Sequence, residues 1–317
     1  MKSIKLKWVI AHEPAYLFYR VAADFQRLVN QYQDMVKVDI EILTNNEYNE
    51  KYCPADPVTR HNLWKLLQDG TVHITQMQTT SLAKQFNRKM HVFDLPYLFD
   101  NHQQVQRVIE GPVGHELLNS FEPTSGLKGI AYTYSGGFRL MPFAGSVSTL
   151  AELAGQPVRS GTSDIAQDTI RSFGFVPVPT EPEQLSQAVR EKQAVGAEHV
   201  AQRLFPDQCD DWIDTIIDTE HSLFLTTIVV NVDWWNNLDS KIRDIFTACA
   251  FEAARNEREL SIKDGQDSVK QLSDAGVNVI KLNKEQKHQL RLQAQSVYDK
   301  YTNLYFEQSL VDTIRRH

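Results

Sequence analysis

The feature that most constrains this chain is a change of hydrophobic period near its start, from about two residues to about 3.6 and back again. KLKWVIAH and VKVDIEIL alternate as half-covered strands do, and between them AYLFYRVAADFQRLVNQY repeats its apolar residues at helical spacing. Two strands joined through a helix form a βαβ unit, whose strands run parallel and whose helix must cover one face of the sheet. The chain is thereby directed toward α/β architecture.

The same alternation continues downstream. The pattern predicts a helix through Asn62 to Leu67, the strand VHITQMQ, a turn at Leu95-Pro96, a helix from Gln103 to Leu118 and the strand LKGIAYTY. A second cycle starts near Ser135: FRLMPF, a short helix around Leu150 to Ala154, the strand QPVRS, and a helix capped by Ser163 or Asp164. FVPVP, the helix EPEQLSQAVREKQ and the short strand AVGAEH follow, leading into an irregular Pro-containing segment. HSLFLTTIVVNV, rich in β-branched residues, carries the chain back. A helical pattern from Asp239 to about Ala275, interrupted only by Gly265, exceeds the usual globular length of roughly 11–12 residues. NVIKL is a last strand, and an amphipathic tail begins at Glu285. The expected division is lobe I over 1–134, with 224–317 returning to it and a long helix spanning both lobes, and lobe II over 135–223.

Composition excludes several function classes. A net charge of -7 with Lys and Arg spread along the chain offers no basic stripe for nucleic acid. No apolar run nears the roughly 20 residues of a membrane span, the longest, Leu223 to Val232, being interrupted by Thr226, Thr227 and Asn231. Met1, Lys2, Ser3 and Lys5 resemble a charged leader, yet no apolar segment or cleavage site follows, so either a signal was removed or there was none. Cys53, Cys209 and Cys249 lack CxxC spacing and read as isolated buried thiols. The ten histidines, His73, His91 and His199 among them, lack paired ligand spacing, and no metal or other cofactor is expected. GxGxxG, Walker A, GxSxG and HExxH are absent, and no catalytic residue is assigned.

Two arginines carry more information. Arg139 in GGFRLMPF and Arg159 in GQPVRSG sit in segments whose neighbours are apolar or strand-like. A desolvated guanidinium needs an anionic partner, and its planar fork fits a carboxylate through two parallel hydrogen bonds. That anion is either a ligand or one of the chain's own 40 acidic residues. The adjacent pair Trp234 and Trp235 reads as one core and one surface side chain on a strand. Leu95-Pro96 with Tyr97 and Phe99 is either a pocket rim or an apolar turn beneath a lobe.

FDLPYLFDNHQQVQRVIEGPVGHEL resembles the DLPFLF segment and following helix of the solute-binding subunits of tripartite ATP-independent periplasmic (TRAP) transporters, the DctP-type binding proteins. GGFRLMPFAGSVSTLAELAGQPVR resembles that family's first arginine, "DLKGLKIR" helix and second arginine; GFVPVPTEPEQLSQAVREKQAVGAEH resembles the stretch usually ending in VDGQEN. DTEHSLFLTTIVVNVDWWNNLDSKIRDIF resembles the histidine, strand, tryptophan and long-helix segment. The resemblance implies a periplasmic-binding-protein-like fold, two α/β lobes joined by crossing segments and a long helix in the C-terminal half. It implies a periplasmic monomer that captures a small organic acid between its lobes by hinge closure and delivers it to the membrane subunits of a TRAP transporter.

By the same resemblance, Arg159 grips the ligand carboxylate and Arg139 is a second cationic contact. Glu198 matches the family's Glu, whereas Val195 stands where Asp is usual and His199 where Asn is usual. An imidazole touching the ligand would strengthen binding as pH falls. In lobe I the pocket falls at the ends of the early strands, at His12, Glu13, Gln76, Gln78 and Thr79. For Glu13 a helix N-terminal acid, and for the two glutamines a solvated strand edge, are equal alternatives. The rival functions are a two-lobed ligand-sensing module and an enzyme acting on a carboxylate through His199 and Glu198.

Overall fold

The computed structural model describes residues 3–317; Met1 and Lys2, weighed above as part of a leader, lie outside the described residues. The contacts gather the chain up to Met90, Gln106–Ser135 and Leu225–Glu259 into one α/β unit. They gather His91–Val105, Gly136–Phe224 and Leu260–His317 into a second.

The strands, in chain order, are β1 (Ser3–Ile10), β2 (Lys37–Thr44), β3 (Ile74–Gln78), β4 (Leu127–Phe143), β5 (Pro157–Ser160) and β6 (Val176–Pro179). They continue as β7 (Gly196–Ala197), β8 (His199–Val200), β9 (Thr215–Asp218), β10 (Leu223–Asn231) and β11 (Asn278–Lys281). In the first unit β1 lies between β2 and β3, parallel to both, and the order continues through β10 to β4. β1 buries Ile4, Leu6, Trp8 and Ile10, the period-two set. The helix Ala15–Val29 covers them with Leu17, Phe18, Val21, Phe25 and Leu28. β10 is buried at every position, as its unbroken β-branched run requires of a central strand.

In the second unit the later residues of β4 pair antiparallel with β7, β8 and β9, and β5 runs parallel to β6 and β7. β11 adds to β9 in parallel. The chain passes from the first unit to the second within β4, at Gly136 and Gly137, whose φ of 127° and 71° are values that side chains disfavour. The sequence pattern had divided this strand in two at Ser135.

Other differences have local causes. The helix expected over 103–118 is two, His102–Ile109 and Pro112–Asn119, since Pro112 can start a helix but not continue one. Trp234 and Trp235 lie on the helix Val232–Asn236 rather than a strand, with Trp235 buried and Trp234 half-buried. The long helix is unbroken over Ser240–Asp274, and Gly265 lies where a Cβ would come 3.4 Å from that of Ala201. Residues 260–317 belong to the second unit rather than returning to the first, and so do 91–105. The cause is pairing inside that unit: β11 joins β9, the Tyr298 hydroxyl donates to Pro96 O at 2.8 Å, and Lys300 and Tyr301 hold Asp168 at 2.6 and 2.7 Å.

Candidate functional site

The second unit gathers buried charge on and between its strands. Arg159, the third residue of β5, is only 2% exposed, and three of its five N–H bonds are engaged. Nε donates to Thr180 O and Oγ1 at 3.1 and 3.2 Å, Nη2 to Thr180 O at 2.5 Å, and Nη1 to Glu198 O at 3.2 Å. Nη1 and Nη2 each keep one hydrogen, and among the described residues no carboxylate lies within ion-pair distance. Burial pulls the guanidinium down to about 10, against the field of Glu198 that supports it. It remains charged at neutral pH.

Glu198, between β7 and β8, is also buried. Its Oε1 accepts from Gly161 N at 2.6 Å, and its Oε2 lies 3.2 Å from His221 Nε2 and 3.9 Å from Arg139 Nε. Burial would push this carboxyl up, but Arg139, His221 and the Gly161 N–H outweigh it and hold it at about 2. The carboxylate can only accept, so His221 Nε2 donates to it, and the ring's Nδ1 lies 2.7 Å from Thr219 Oγ1. The 219–221 segment is in turn held by Tyr97, whose N–H donates to His221 O at 2.6 Å and whose hydroxyl donates to Thr219 O at 3.2 Å. Arg139, on β4, stacks its guanidinium over Phe224 at 5.2 Å.

Neighbours on an extended chain point oppositely, and His199 turns away from the partners of Glu198. Its Nε2 lies 2.9 Å from Asp207 Oδ2, which is also 3.1 Å from Arg203 Nε. Neither approach has the alignment of a hydrogen bond, while Arg203 Nη2 donates to Oδ1 at 3.2 Å. Burial pulls the imidazole down to about 4, so it is neutral across the physiological range. Burial pushes the Asp207 carboxyl up, but His199 and Arg203 outweigh it and keep it below its ordinary value.

Four of the sequence candidates, Arg139, Arg159, Glu198 and His199, thus lie in one charged cluster. Thr180, Arg203, Asp207, Thr219 and His221, none of them assigned from the sequence, complete it, together with Tyr97, which the sequence offered either as a pocket rim or as part of an apolar turn. His221 stands in the DTEH segment already matched by resemblance, and the i,i+4 spacing of Arg203 and Asp207 was a usable sign of pairing.

The remaining candidates lie in the first unit. Gln76 is buried on β3, its Nε2 donating to Thr226 Oγ1 at 2.8 Å, while its Oε1 has no partner. Thr226 Oγ1 donates to Thr133 O at 3.3 Å, which fixes the amide's orientation. Thr79 is buried with its hydroxyl 3.2 Å from that of Thr227. Gln78 is half-buried before the helix Thr79–Gln85. Glu13 is exposed and accepts from Ala15 N at 2.8 Å, the position of a helix N-terminal acid, and His12 packs against Phe18 at 5.1 Å. Among the described residues no group of three or more His, Cys, Asp or Glu side chains is arranged to hold a metal, and no helix is long and apolar enough to cross a membrane.

The family model for bacterial extracellular solute-binding protein, family 7, DctP, matches residues 24–304. A C4-dicarboxylate-binding periplasmic protein from Rhodobacter capsulatus is 24% identical over 260 residues, covering 80% of this chain and 73% of that one. A TRAP periplasmic solute-binding protein from Ochrobactrum anthropi superposes with a TM-score of 0.85 at 21% identity, covering 98% of this chain and 93% of that one. Another, from Pseudomonas putida F1 with bound D-glucuronate, gives a TM-score of 0.81 at 19% identity over 98% and 96%.

Proposed function

We propose that this chain, which belongs to the DctP family of bacterial extracellular solute-binding proteins, captures a small organic carboxylate on Arg159 and delivers it to the membrane subunits of a TRAP transporter. The observation that carries the reading is the state of Arg159: a buried cation with two unspent N–H donors, supported by backbone carbonyls and lacking a carboxylate of its own. Burying a charge without a counter-ion is costly, and a ligand carboxylate offsets that cost through a charge-assisted pair. Arg139 serves as a second cationic contact, loosely held at 3.9 Å by Glu198 and free to share its charge. Glu198 and His221 keep that end of the site rigid. Gln76 and Thr79, with Gln78 and His12, are proposed as the first unit's polar contacts, and Glu13 as the acid that starts the following helix. The relatives are binding proteins, which supports binding without turnover, and periplasmic, which supports the same location for a monomer of this chain.

Calorimetric titration with a panel of organic acids tests the reading. Wild type should bind at least one with 1:1 stoichiometry and Arg159→Ala should not; equal affinity in a folded Arg159→Ala protein would overturn it.

A further inference from the structure

Arg139 and Glu198 are both held by one turn of the second unit, residues 219–222 between β9 and β10. Ser222 O accepts from Arg139 N at 2.8 Å, and Thr219 Oγ1 lies 3.5 Å from Arg139 O, so the turn grips the backbone of Arg139 on two sides. His221 Nε2, 3.2 Å from Glu198 Oε2, links the same turn to the carboxylate that faces Arg139 Nε. A shift of the turn would therefore move the cation and its counter-ion together.

The turn is strained. Glu220 in its middle takes a φ of 49°, and Tyr97 beside it a φ of 55°, left-handed conformations that side chains disfavour. Such residues persist where their surroundings over-determine them. Here Tyr97 does so by bracketing Glu220: its N–H donates to His221 O at 2.6 Å and its hydroxyl to Thr219 O at 3.2 Å. Burial pushes the phenol well up, so it remains a donor. The Tyr97 ring packs on Phe173 with centroids 6.2 Å apart, and Phe173 meets the His221 ring edge-on at 5.6 Å. Lys287 holds the Glu220 carboxylate, and the Tyr298 hydroxyl holds Pro96 O at 2.8 Å. All of these residues belong to the second unit.

We infer that Tyr97 is a positioning residue for ligand capture: it locks the 219–222 turn so that Arg139 meets the ligand with its guanidinium already placed. A side chain ordered beforehand does not have to be ordered by the ligand, and the difference is read as affinity. The inference rests on the reading of Arg139 and Arg159 as ligand contacts.

The test is a double-mutant cycle on ligand affinity. Tyr97→Phe removes the hydroxyl, keeps the ring and the N–H, and places there the residue that the resembling DLPFLF segment carries. Thr219 is buried, and losing one hydrogen bond to its carbonyl should weaken binding by about threefold to tenfold. Wild type, Tyr97→Phe, Arg139→Gln and the double variant are titrated calorimetrically with D-glucuronate, gluconate and succinate, and urea melts check that each is folded. With Arg139 present the tyrosine hydroxyl should matter; with glutamine in its place Tyr97→Phe should change the Kd little. Arg139→Lys takes the place of Arg139→Gln if the glutamine protein does not fold or binds too weakly to titrate. A Tyr97→Phe protein as tight as wild type, or a loss of the same factor in both backgrounds, overturns the inference, because a residue serving stability alone gives no coupling to Arg139. If Arg159→Ala meanwhile abolishes binding, the carboxylate reading stands and only the role of Tyr97 falls. If none of the three acids binds wild type, or Arg159→Ala binds as tightly, the carboxylate reading fails and takes the inference with it.

Discussion

At the scale of single residues, Arg159 divides its donors between holding itself and holding a ligand. Arg159→Ala removes one partner of a desolvated charge pair, a loss of about 3–5 kcal/mol and so at least two orders of magnitude in affinity. Arg159→Lys should be nearly as damaging, because an ammonium has three donors and no planar fork, and Thr180 O and Glu198 O already claim two. Both are read by calorimetry. Glu198 makes a pH prediction. Its folded value near 2 is depressed from an ordinary 4.5, so the stability it contributes is full above about pH 4.5 and is lost as pH falls toward 2. A depression of this size corresponds to about 3 kcal/mol. In urea melts Glu198→Gln should therefore lose stability at pH 7, and the gap to wild type should narrow steadily toward pH 3; a constant gap counts against an ionised Glu198. His199 has the same sign for a different reason. Its imidazole is kept neutral at a value near 4, so an unfolded chain that protonates near 6.5 gains on the folded one as pH falls between those values. His199→Asn should flatten stability over that window. Its ligand affinity should follow the same pH course as wild type above about pH 5, because a neutral ring lends no charge to the ligand.

At the scale of elements, what the sequence disclosed follows from how local each cause is. The βαβ opening was legible because Ile4, Leu6 and Trp8 on one side of β1 and Phe18, Val21 and Phe25 on the helix declare their periods without reference to the rest of the chain. Ser163 was legible as a cap, its hydroxyl accepting from Ala166 N at 3.2 Å, for the same reason. The direction of His199 was not, because it depends on β8 pairing with β4, Leu140 beside His199 and Arg139 beside Val200. That register is tertiary, and a change of one residue exchanges the faces. Gly196 holds the neighbouring strand in place. A Cβ there would come 2.3 Å from Phe143 Cδ1 and 2.5 Å from Pro142 O, so β7 can lie against β4 only without a side chain. Gly196→Ala should cost about 1–3 kcal/mol as the strands separate. It should also weaken ligand binding, since two residues on, Glu198 supplies a carbonyl to Arg159 and a carboxylate to Arg139. A variant with unchanged urea midpoint and affinity would show that the strand yields without disturbing the site.

At the scale of the whole molecule, the chain passes between its two units five times, after Met90, Val105, Ser135, Phe224 and Glu259. The passage within β4 falls beside Ser135, where the sequence pattern starts its second cycle. The one inside Ser240–Asp274 was not, because a helix keeps its pattern whichever neighbours it meets, and the fate of the residues beyond Glu259 is decided by β11 finding β9. Ligand capture acts on this assembly through mass action. A compound that binds only the folded protein stabilises it by about 2.7 kcal/mol at a hundredfold excess over its Kd. For a chain of 317 residues that is a rise of a few degrees in melting temperature, increasing with the logarithm of ligand concentration. The same titration on Arg159→Ala should give a protein that still melts cooperatively and whose midpoint ligand no longer moves. The two outcomes separate a site residue from a structural one. A purely structural arginine, once removed, would lower the midpoint of the ligand-free protein, leaving Thr180 O and Glu198 O without their donor, yet preserve the rise on adding ligand. A binding arginine abolishes the rise itself, so a ligand-dependent shift of wild-type size in Arg159→Ala would assign the carboxylate to another cation.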